Sequence, residues 1–421
     1  MTMADFFTLN DFDTAGKTVI LRVDVNSPIN PESGELLGDT RIRAHLETIR
    51  ELDDTKLVIL AHQSRPGARD FVSLDVHAKR LSSLLRKQVK HVDDLFGSRA
   101  RNAINGMKKG DIILLENVRF YSEEVGIKKY NGEDFKPQAN TNIVRNLSEL
   151  ADFYVNDAFA AAHRAQPSLV GFVENVPSMA GNVMQRELEN LGHALEGAEA
   201  PGVAILGGAK ADDSIAIAEN MLMNNTVEFV LTTGVVANIF LMGKGVDLGE
   251  PNTSFIRKKF KDHEQLIKQA KKVLDTWPEK VMLPSDVAVN ADGSRQRVEL
   301  KDLPSEYPIW DVGLDTIVEF SDQIERAKTI IANGPAGVFE TKEFALGTEE
   351  LFRAMARSEG YSVMGGGETS TVCSILNISR DINHISTGGG ACISFLGGKP
   401  MPVKIALERS KQLYDEGAYK K

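Results

Sequence analysis

Short β-branched runs alternate with longer amphipathic stretches along this chain. Val19-Ile-Leu-Arg-Val-Asp24, Leu57-Val-Ile-Leu-Ala61 and Asp111-Ile-Ile-Leu-Leu115 read as buried strands in the first half. Val203-Ala-Ile-Leu206, Val227-Glu-Phe-Val-Leu-Thr232, Lys280-Val-Met-Leu-Pro284, Thr329-Ile-Ile-Ala-Asn333 and Tyr361-Ser-Val-Met364 do so in the second. Between them the apolar spacing predicts helices, among them Thr40–Leu52, Asp75–Arg86 and Ser254–Thr276. Apolar strands interleaved with helices specify parallel sheets covered on both faces. The expected fold class is α/β, doubly wound and present twice.

A length of 421 residues exceeds what one hydrophobic core usually serves, which supports two domains. Val176-Pro-Ser-Met179 closes the first, and Gly181–Leu195 reads as one helix before the punctuation Glu196-Gly-Ala-Glu-Ala-Pro-Gly202. The expected organisation is a domain over 1–178, a connecting hinge helix over 179–197 and a domain over 198–399. After the break Gly397-Gly-Lys-Pro-Met-Pro-Val403, residues 400–421 form a tail with a helix at Ile405–Tyr414. Tyr121–Gln138 is polar and reads as a surface loop.

Composition narrows the class. Hydrophobic residues at 42% and charged ones at 26% fit a globular protein, and no apolar run is long enough to span a bilayer. The start, Met1-Thr-Met-Ala-Asp-Phe-Phe7, has neither the basic nor the apolar region of a secretory signal. Cys373 and Cys392 build no disulfide framework and no metal-type spacing. The expectation is a cytoplasmic protein. A net charge of −10 argues against nucleic acid as a partner but leaves room for a local cluster of cations.

Neither G-x-x-x-x-G-K-[ST] nor G-x-G-x-x-G is present. The second half instead carries strand–glycine–helix junctions at Ile205-Leu-Gly-Gly-Ala-Lys210, Val363-Met-Gly-Gly-Gly-Glu-Thr369 and His384-Ile-Ser-Thr-Gly-Gly-Gly-Ala391. Ala332-Asn-Gly-Pro-Ala-Gly-Val-Phe-Glu340 follows a strand and ends in an acid. Glycines there let backbone N–H groups approach an anion, and a helix N-terminus adds its dipole. One junction reads equally well as a capped turn; the repetition in one half favours a ligand site. Lys210 stands where a cation would meet transferring phosphate oxygens.

The first half places arginine and histidine just beyond strands: Arg22 with Asp24 and Asn26, Arg41, His62 with Arg65, Arg119, and His163 with Arg164. Guanidinium groups at several strand ends suit a small, multiply anionic substrate. Each alone also reads as a surface charge, and His62 and His163 also read as structural histidines. Arg22 shares a strand face with Asp24, so it is expected to pair with that carboxylate.

These segments, taken in order, resemble the phosphoglycerate kinase family along nearly the whole chain. The matching stretches are Arg22-Val-Asp-Val-Asn26, Asp39-Thr-Arg-Ile-Arg43, Ala61-His-Gln-Ser-Arg-Pro66, Leu115-Glu-Asn-Val-Arg-Phe120 and Asn156–Ala165, then Ile205–Lys210, Asn333–Glu340, Gly365–Thr369 and His384–Ala391. The resemblance implies two Rossmann-like domains closing on a hinge, with residues 400–421 returning to the first. It implies transfer of the acyl phosphate of 1,3-bisphosphoglycerate to ADP, giving 3-phosphoglycerate and ATP, with Mg²⁺, in a monomer or homodimer. Asp24, Asn26, Arg41, His62, Arg65, Arg119, His163 and Arg164 correspond to the phosphoglycerate site. Gly208, Lys210, Asn333, Glu340, Gly366, Gly367, Glu368 and Thr369 correspond to the nucleotide site, Glu340 facing the ribose. Arg41 and Lys210, with the backbone of Gly388, Gly389 and Gly390, are the expected stabilisers of the moving phosphoryl group.

Three departures stand out. Ser214 replaces a second lysine, Glu368 replaces an aspartate expected to touch the metal, and His62-Gln-Ser-Arg65 replaces His-Leu-Gly-Arg. They suggest a divergent, archaeal-type member. A dinucleotide-dependent dehydrogenase would explain the glycine loops but not the arginines, and a non-catalytic paralogue has only Ser214 in its favour.

Overall fold

The computed structural model describes residues 5–127, 129, 130, 132 and 134–419. They form two α/β units: one runs to Glu189 and is completed by the segment from Pro400, and the other spans Asn190–Lys399. Lys128, Asn131 and Glu133, within the expected loop Tyr121–Gln138, lie outside the described residues. The described part of that loop holds short helices at Ser122–Gly126 and Lys136–Ala139.

The first unit is built on β1 (Thr18–Arg22), β2 (Lys56–Leu60), β3 (Val89–Val92), β4 (Ile112–Leu115), β5 (Phe153–Asn156) and β6 (Ser178–Ala180). They lie in the order β3-β4-β2-β1-β5-β6, with every pairing parallel. Successive side chains of a strand alternate in direction, and here both directions are buried. Val19 and Leu21 pack among Ile42, Ile49, Leu57 and Ile59, while Ile20 packs among Val58, Leu60 and Ile113. The strand order turns back on itself between β1 and β5. Loops leaving those two strands diverge to opposite faces and open a crevice at their carboxyl ends, where α/β sheets bind ligands.

The second unit contains β7 (Gly202–Leu206), β8 (Phe229–Thr232), β9 (Val281–Met282), β10 (Asp286–Ala291), β11 (Ser294–Glu299), β12 (Ile309–Val312), β13 (Thr329–Asn333), β14 (Tyr361–Gly365) and β15 (His384–Ile385). Its parallel sheet runs β15-β14-β13-β7-β8-β9, so its crevice opens between β7 and β13. A separate antiparallel sheet, β11-β10-β12, is an addition the apolar pattern does not announce. Its β11, Ser-Arg-Gln-Arg-Val-Glu, is polar and held by side-chain pairing. Arg295 reaches Asp311 at 2.7 Å and Arg297 reaches Asp286 at 2.6 Å. Asp292 and Gly293, at φ of 53° and 93°, make the mirror-image turn that suits a two-residue hairpin.

Two expected helices are each broken. Thr40–Leu52 divides into Thr40–Ala44 and Leu46–Glu51 around the buried His45. Ser254–Thr276 divides into Glu250–Lys259 and His263–Thr276, because Phe260 is extended and Asp262 starts the next helix. The expected connecting helix is one element, Asn182–Glu196. No helix among the described residues is long and apolar enough to cross a membrane.

The final helix, Pro402–Asp415, lies along the edge of the first unit's sheet. The Ser178 amide in β6 donates to Ser410 Oγ at 2.8 Å, and the Val403 amide donates to the Ala162 carbonyl at 3.2 Å. The Tyr414 ring meets Phe7 and Phe12 edge-on, each at 5.2 Å.

Glu116 fastens the end of β4. Burial alone would raise its pKa, but the Ser73 hydroxyl (2.7 Å) and the amides of Leu74 (3.1 Å) and Asn117 (2.6 Å), with His91 at 3.5 Å, hold it at about 2. A carboxyl depressed in the folded state stabilises that state above the unfolded pKa of 4.5, and the contribution is lost as pH falls toward 2. Glu116→Gln is therefore expected to lower stability near neutral pH by about 1–3 kcal/mol. Its gap to the wild type should narrow through the acid range, and thermal unfolding near pH 7 and near pH 3 checks this. Equal midpoints at neutral pH would contradict it.

Candidate active site

In the first unit the carboxyl ends of β1 and β2, the turn after β4 and the segment after β5 bring their polar residues together. Arg22, the last residue of β1, is fully buried. Its Nε donates to Ser168 Oγ at 2.9 Å and its Nη2 donates to His62 Nδ1 at 3.0 Å. The expected pairing of Arg22 with Asp24 is replaced by an arrangement around Glu124. That buried carboxylate accepts the Ser168 amide (2.8 Å) and hydroxyl (2.7 Å), and it supplies the opposite charge a buried guanidinium requires. Asp24 is taken by Arg41 as an ion pair and also accepts the Asn26 amide at 3.0 Å. Asn26 Oδ1 accepts the Ser64 amide at 2.8 Å, and Arg119 Nη1 donates to the Ser64 carbonyl at 2.5 Å. Arg164 Nε donates to His163 Nε2 at 3.2 Å. Arg65 is exposed on the loop after β2.

Burial dominates the electrostatics, and like-charged neighbours add to it at Arg119 and His62. Burial first, then Arg164 and Arg22, pull the Arg119 pKa down to about 10. Burial and the neighbouring Arg22, Arg119, Arg164 and Arg41 push His62 well below the usual histidine range, so it is a neutral acceptor for Arg22. Burial also lowers Arg164 and Arg22, the latter opposed chiefly by Glu124. Cations arranged so that each weakens the next form a preorganised receptor for a small polyanion.

His45 and Asp157 were not singled out by the sequence. The His45 ring turns inward, where Nδ1–H donates to Asp157 Oδ2 at 2.7 Å and Nε2 accepts the Asp24 amide at 3.1 Å. Asp157 Oδ1 in turn accepts the amides of Val183 (2.8 Å) and Met184 (3.3 Å), which belong to the first turn of the helix Asn182–Glu196. A carboxylate at that place satisfies amides a helix leaves without internal partners.

In the second unit the loops after β7, β8 and β13 pack backbone against backbone. The Gly208 amide donates to the Pro335 carbonyl at 2.7 Å, and a Cβ on Gly334 would lie 2.4 Å from the Gly207 carbonyl oxygen. Only glycine permits that approach. These loops border a cleft with Gly208, Glu340 and Glu368 in its lining. Its walls include Val235, Phe255, Ile309, Trp310, Val338 and Phe339, and Asn238 adds a polar group. The aromatic and antiparallel-sheet contributions were missed, since such residues look like ordinary core in a sequence. Apolar walls beside glycine-rich, acid-bearing rims suit a flat aromatic base attached to a hydroxylated, charged tail.

The remaining expected residues of this unit sit at the same strand ends. Asn333 closes β13 and is buried, and Lys210, just before the helix Ala211–Met223, is exposed. Gly366, at φ 99°, precedes the helix Gly367–Leu376, whose first amides are available to an anion. Thr369 turns its hydroxyl back to the carbonyls of Gly365 (2.7 Å) and Gly366 (2.5 Å). Gly388 donates its amide to Ser386 Oγ at 3.1 Å, while Gly389 is half-buried and Gly390 exposed. Ser214 is fully buried and its hydroxyl has no hydrogen-bond partner among the described residues.

A sequence model of the phosphoglycerate kinases matches residues 9–399. The phosphoglycerate kinase of Methanothermus fervidus is 49% identical over 416 residues, covering 98% of this chain and 100% of that relative. That of Methanothermobacter thermautotrophicus is 51% identical over 408 residues, covering 96% and 97%. The crystal structure of phosphoglycerate kinase from Pyrococcus horikoshii OT3 matches with a TM-score of 0.86 at 41% identity, over 96% of this chain and 99% of that one. Neither the dehydrogenase nor the non-catalytic alternative gains support. Matched along nearly its whole length in sequence and in fold, with archaeal phosphoglycerate kinases among its relatives, the chain belongs to the phosphoglycerate kinase family and is a phosphotransferase.

Proposed function

We propose that the arginine cluster of the first unit binds 3-phosphoglycerate or its acyl phosphate, and that the cleft of the second binds ADP or ATP. The observation that carries this reading is the convergence of Arg22, Arg119 and Arg164 on His62 beyond the carboxyl ends of one parallel sheet, a grouping of guanidinium groups that suits a small polyanion. Asp24, Asn26, Arg41, His62, Arg65, Arg119, His163 and Arg164 form the phosphoglycerate site. Asp24 steers Arg41, and neutral His62 holds Arg22 in place rather than contributing charge. In the nucleotide site the apolar walls take the base, Glu340 faces the ribose, and Asn333, Gly208 and the first turn at Gly366–Thr369 take the phosphates. Residues 1–178 and 198–399 act as substrate and nucleotide domains, 179–197 as the hinge and 400–421 as a tail on the first. The reaction is placed in the cytoplasm.

Phosphoryl transfer asks for in-line placement and for charge stabilisation at the moving group, with little covalent help. Arg41 and Lys210 supply cations, and backbone amides near Gly366, Gly367, Gly389 and Gly390 supply dipoles, the Gly388 amide being taken by Ser386 Oγ. They act together once the domains close on the hinge, which also keeps water from the acyl phosphate. Among the described residues no group of three or more ligating side chains could cage a metal ion. Mg²⁺ is commonly held by one or two carboxylates and the substrate phosphates. Glu368, in the cleft lining, would hold it, and the ion would neutralise phosphate charge.

A coupled assay of ATP-dependent phosphorylation of 3-phosphoglycerate tests the reading. Wild type is expected to turn over, and Lys210→Ala to lose about 10²–10³ in kcat, the usual effect of removing one preorganised donor. Arg41→Ala is expected to lose more than about tenfold in kcat, and a smaller loss would remove Arg41 from the transition state. Ser214→Ala deletes a hydroxyl with no partner, so its stability should stay within about 0.5 kcal/mol of wild type or rise. A clear drop in its thermal midpoint would show that the hydroxyl is bonded after all.

A further inference from the structure

Ser64, in the loop after β2, has a left-handed backbone, with φ at 57°. Non-glycine residues rarely adopt that region, and one that does in a functional loop is held by its surroundings. The holding group here is Asp70, whose Oδ1 accepts the Ser64 hydroxyl at 2.6 Å. Asp70 Oδ2 also lies 3.5 Å from the Gln63 amide nitrogen. Gln63 is buried and bonded to Ser27 on both sides of its amide, donating to the carbonyl at 2.9 Å and accepting the N–H at 3.1 Å.

The backbone held in this way serves two site residues at once. The Ser64 amide is the donor to Asn26 Oδ1, and the Ser64 carbonyl is the acceptor for Arg119 Nη1. A rotation about Ser64 would therefore move Asn26 and Arg119 together and carry Arg65, the next residue, with them. Asn117 supports the loop from below, its Nδ2 donating to the carbonyls of Gln63 (2.9 Å) and Val72 (3.0 Å). Asp70 is the group that holds the Ser64 side chain, beside the bonds its amide and carbonyl make to Asn26 and Arg119.

We propose that Asp70 is a positioning residue for phosphoglycerate binding, locking Ser64 in the left-handed conformation that aims Asn26, Arg65 and Arg119. The proposal rests on the assignment of the arginine cluster to 3-phosphoglycerate. The Asp70 side chain supplies the fixation, and the backbone penalty of serine in this conformation is offset by its hydroxyl bond.

Steady-state kinetics of the full chain with 3-phosphoglycerate and MgATP test this in wild type, Asp70→Ala, Asp70→Asn, Ser64→Gly and the double variant. Asp70→Ala is expected to raise KM for 3-phosphoglycerate about tenfold, the value of one lost charge-assisted hydrogen bond, with KM for ATP and kcat within about twofold. Asp70→Asn, which keeps an acceptor oxygen, should fall between it and wild type. Ser64→Gly alone should be near wild type, and in the double variant glycine should restore most of the lost affinity, because it adopts the conformation unaided. Rescue of one substrate's KM by Ser64→Gly is an effect that a general loss of stability would not give. An unchanged KM in Asp70→Ala, a parallel rise in both KM values, or a double variant no better than Asp70→Ala would each overturn the proposal while leaving the kinase reading intact. A folded wild type that does not phosphorylate 3-phosphoglycerate would overturn both.

Discussion

Positive charge crowded into a partly buried place is the condition on which the first unit is organised. A chain with a net charge of −10 still gathers Arg22, Arg41, Arg119 and Arg164 around His62, and the carboxylates set against them, Asp24 and Glu124, are few. Burial lowers the pKa of Arg22, Arg119 and Arg164, and like-charged neighbours add to it at Arg22 and Arg119. The strand order makes this possible. Side chains at the ends of neighbouring parallel strands are separated by strand spacing rather than by free choice, and the packed sheet resists their moving apart. Glu124, reached through Ser168, keeps the buried Arg22 charged, and Arg22 in turn fixes the neutral ring of His62.

The second unit solves a different problem with different means. Its cleft has apolar walls, backbone dipoles and acidic rims instead of stacked cations. Glycines 207 and 334 let two strand-end loops touch through their backbones, which sets the floor of the cleft to within the precision of main-chain hydrogen bonds. Both units thus use the same crevice of the same architecture, one filled with fixed charge and the other with shape.

The long Val- and Ile-rich strands were legible because parallel sheets buried on both faces leave near-continuous apolar runs. Edge strands such as Ser178–Ala180 and His384–Ile385 are too short for any pattern, and polar Ser294–Glu299 depends on arginines pairing with aspartates elsewhere in the chain. The apolar period of Thr40–Leu52 runs on without interruption, yet the helix breaks because His45 is drawn inward by Asp157, a partner 112 residues away. The site divides in the same way. Arginines and glycines advertise their chemistry at strand ends, and resemblance gathers them into sites. Gln63, Ser64, Asp70, Asp157 and Glu124 act through partners folding brings to them, and Trp310 and Phe255 gain meaning only beside an open cleft.

The helix Pro402–Asp415 gives the first unit its last layer, yet it follows the whole of the second unit along the chain. During synthesis at about 5–20 residues per second, the β6 edge and the aromatic ring pair of Phe7 and Phe12 wait tens of seconds for their cover. The second unit, continuous from Asn190 to Lys399, has all its strands in hand before the first is whole. Maturation therefore runs against the order of the message: the half translated first is completed last, and its exposed sheet edge is where a nascent chain most needs shelter.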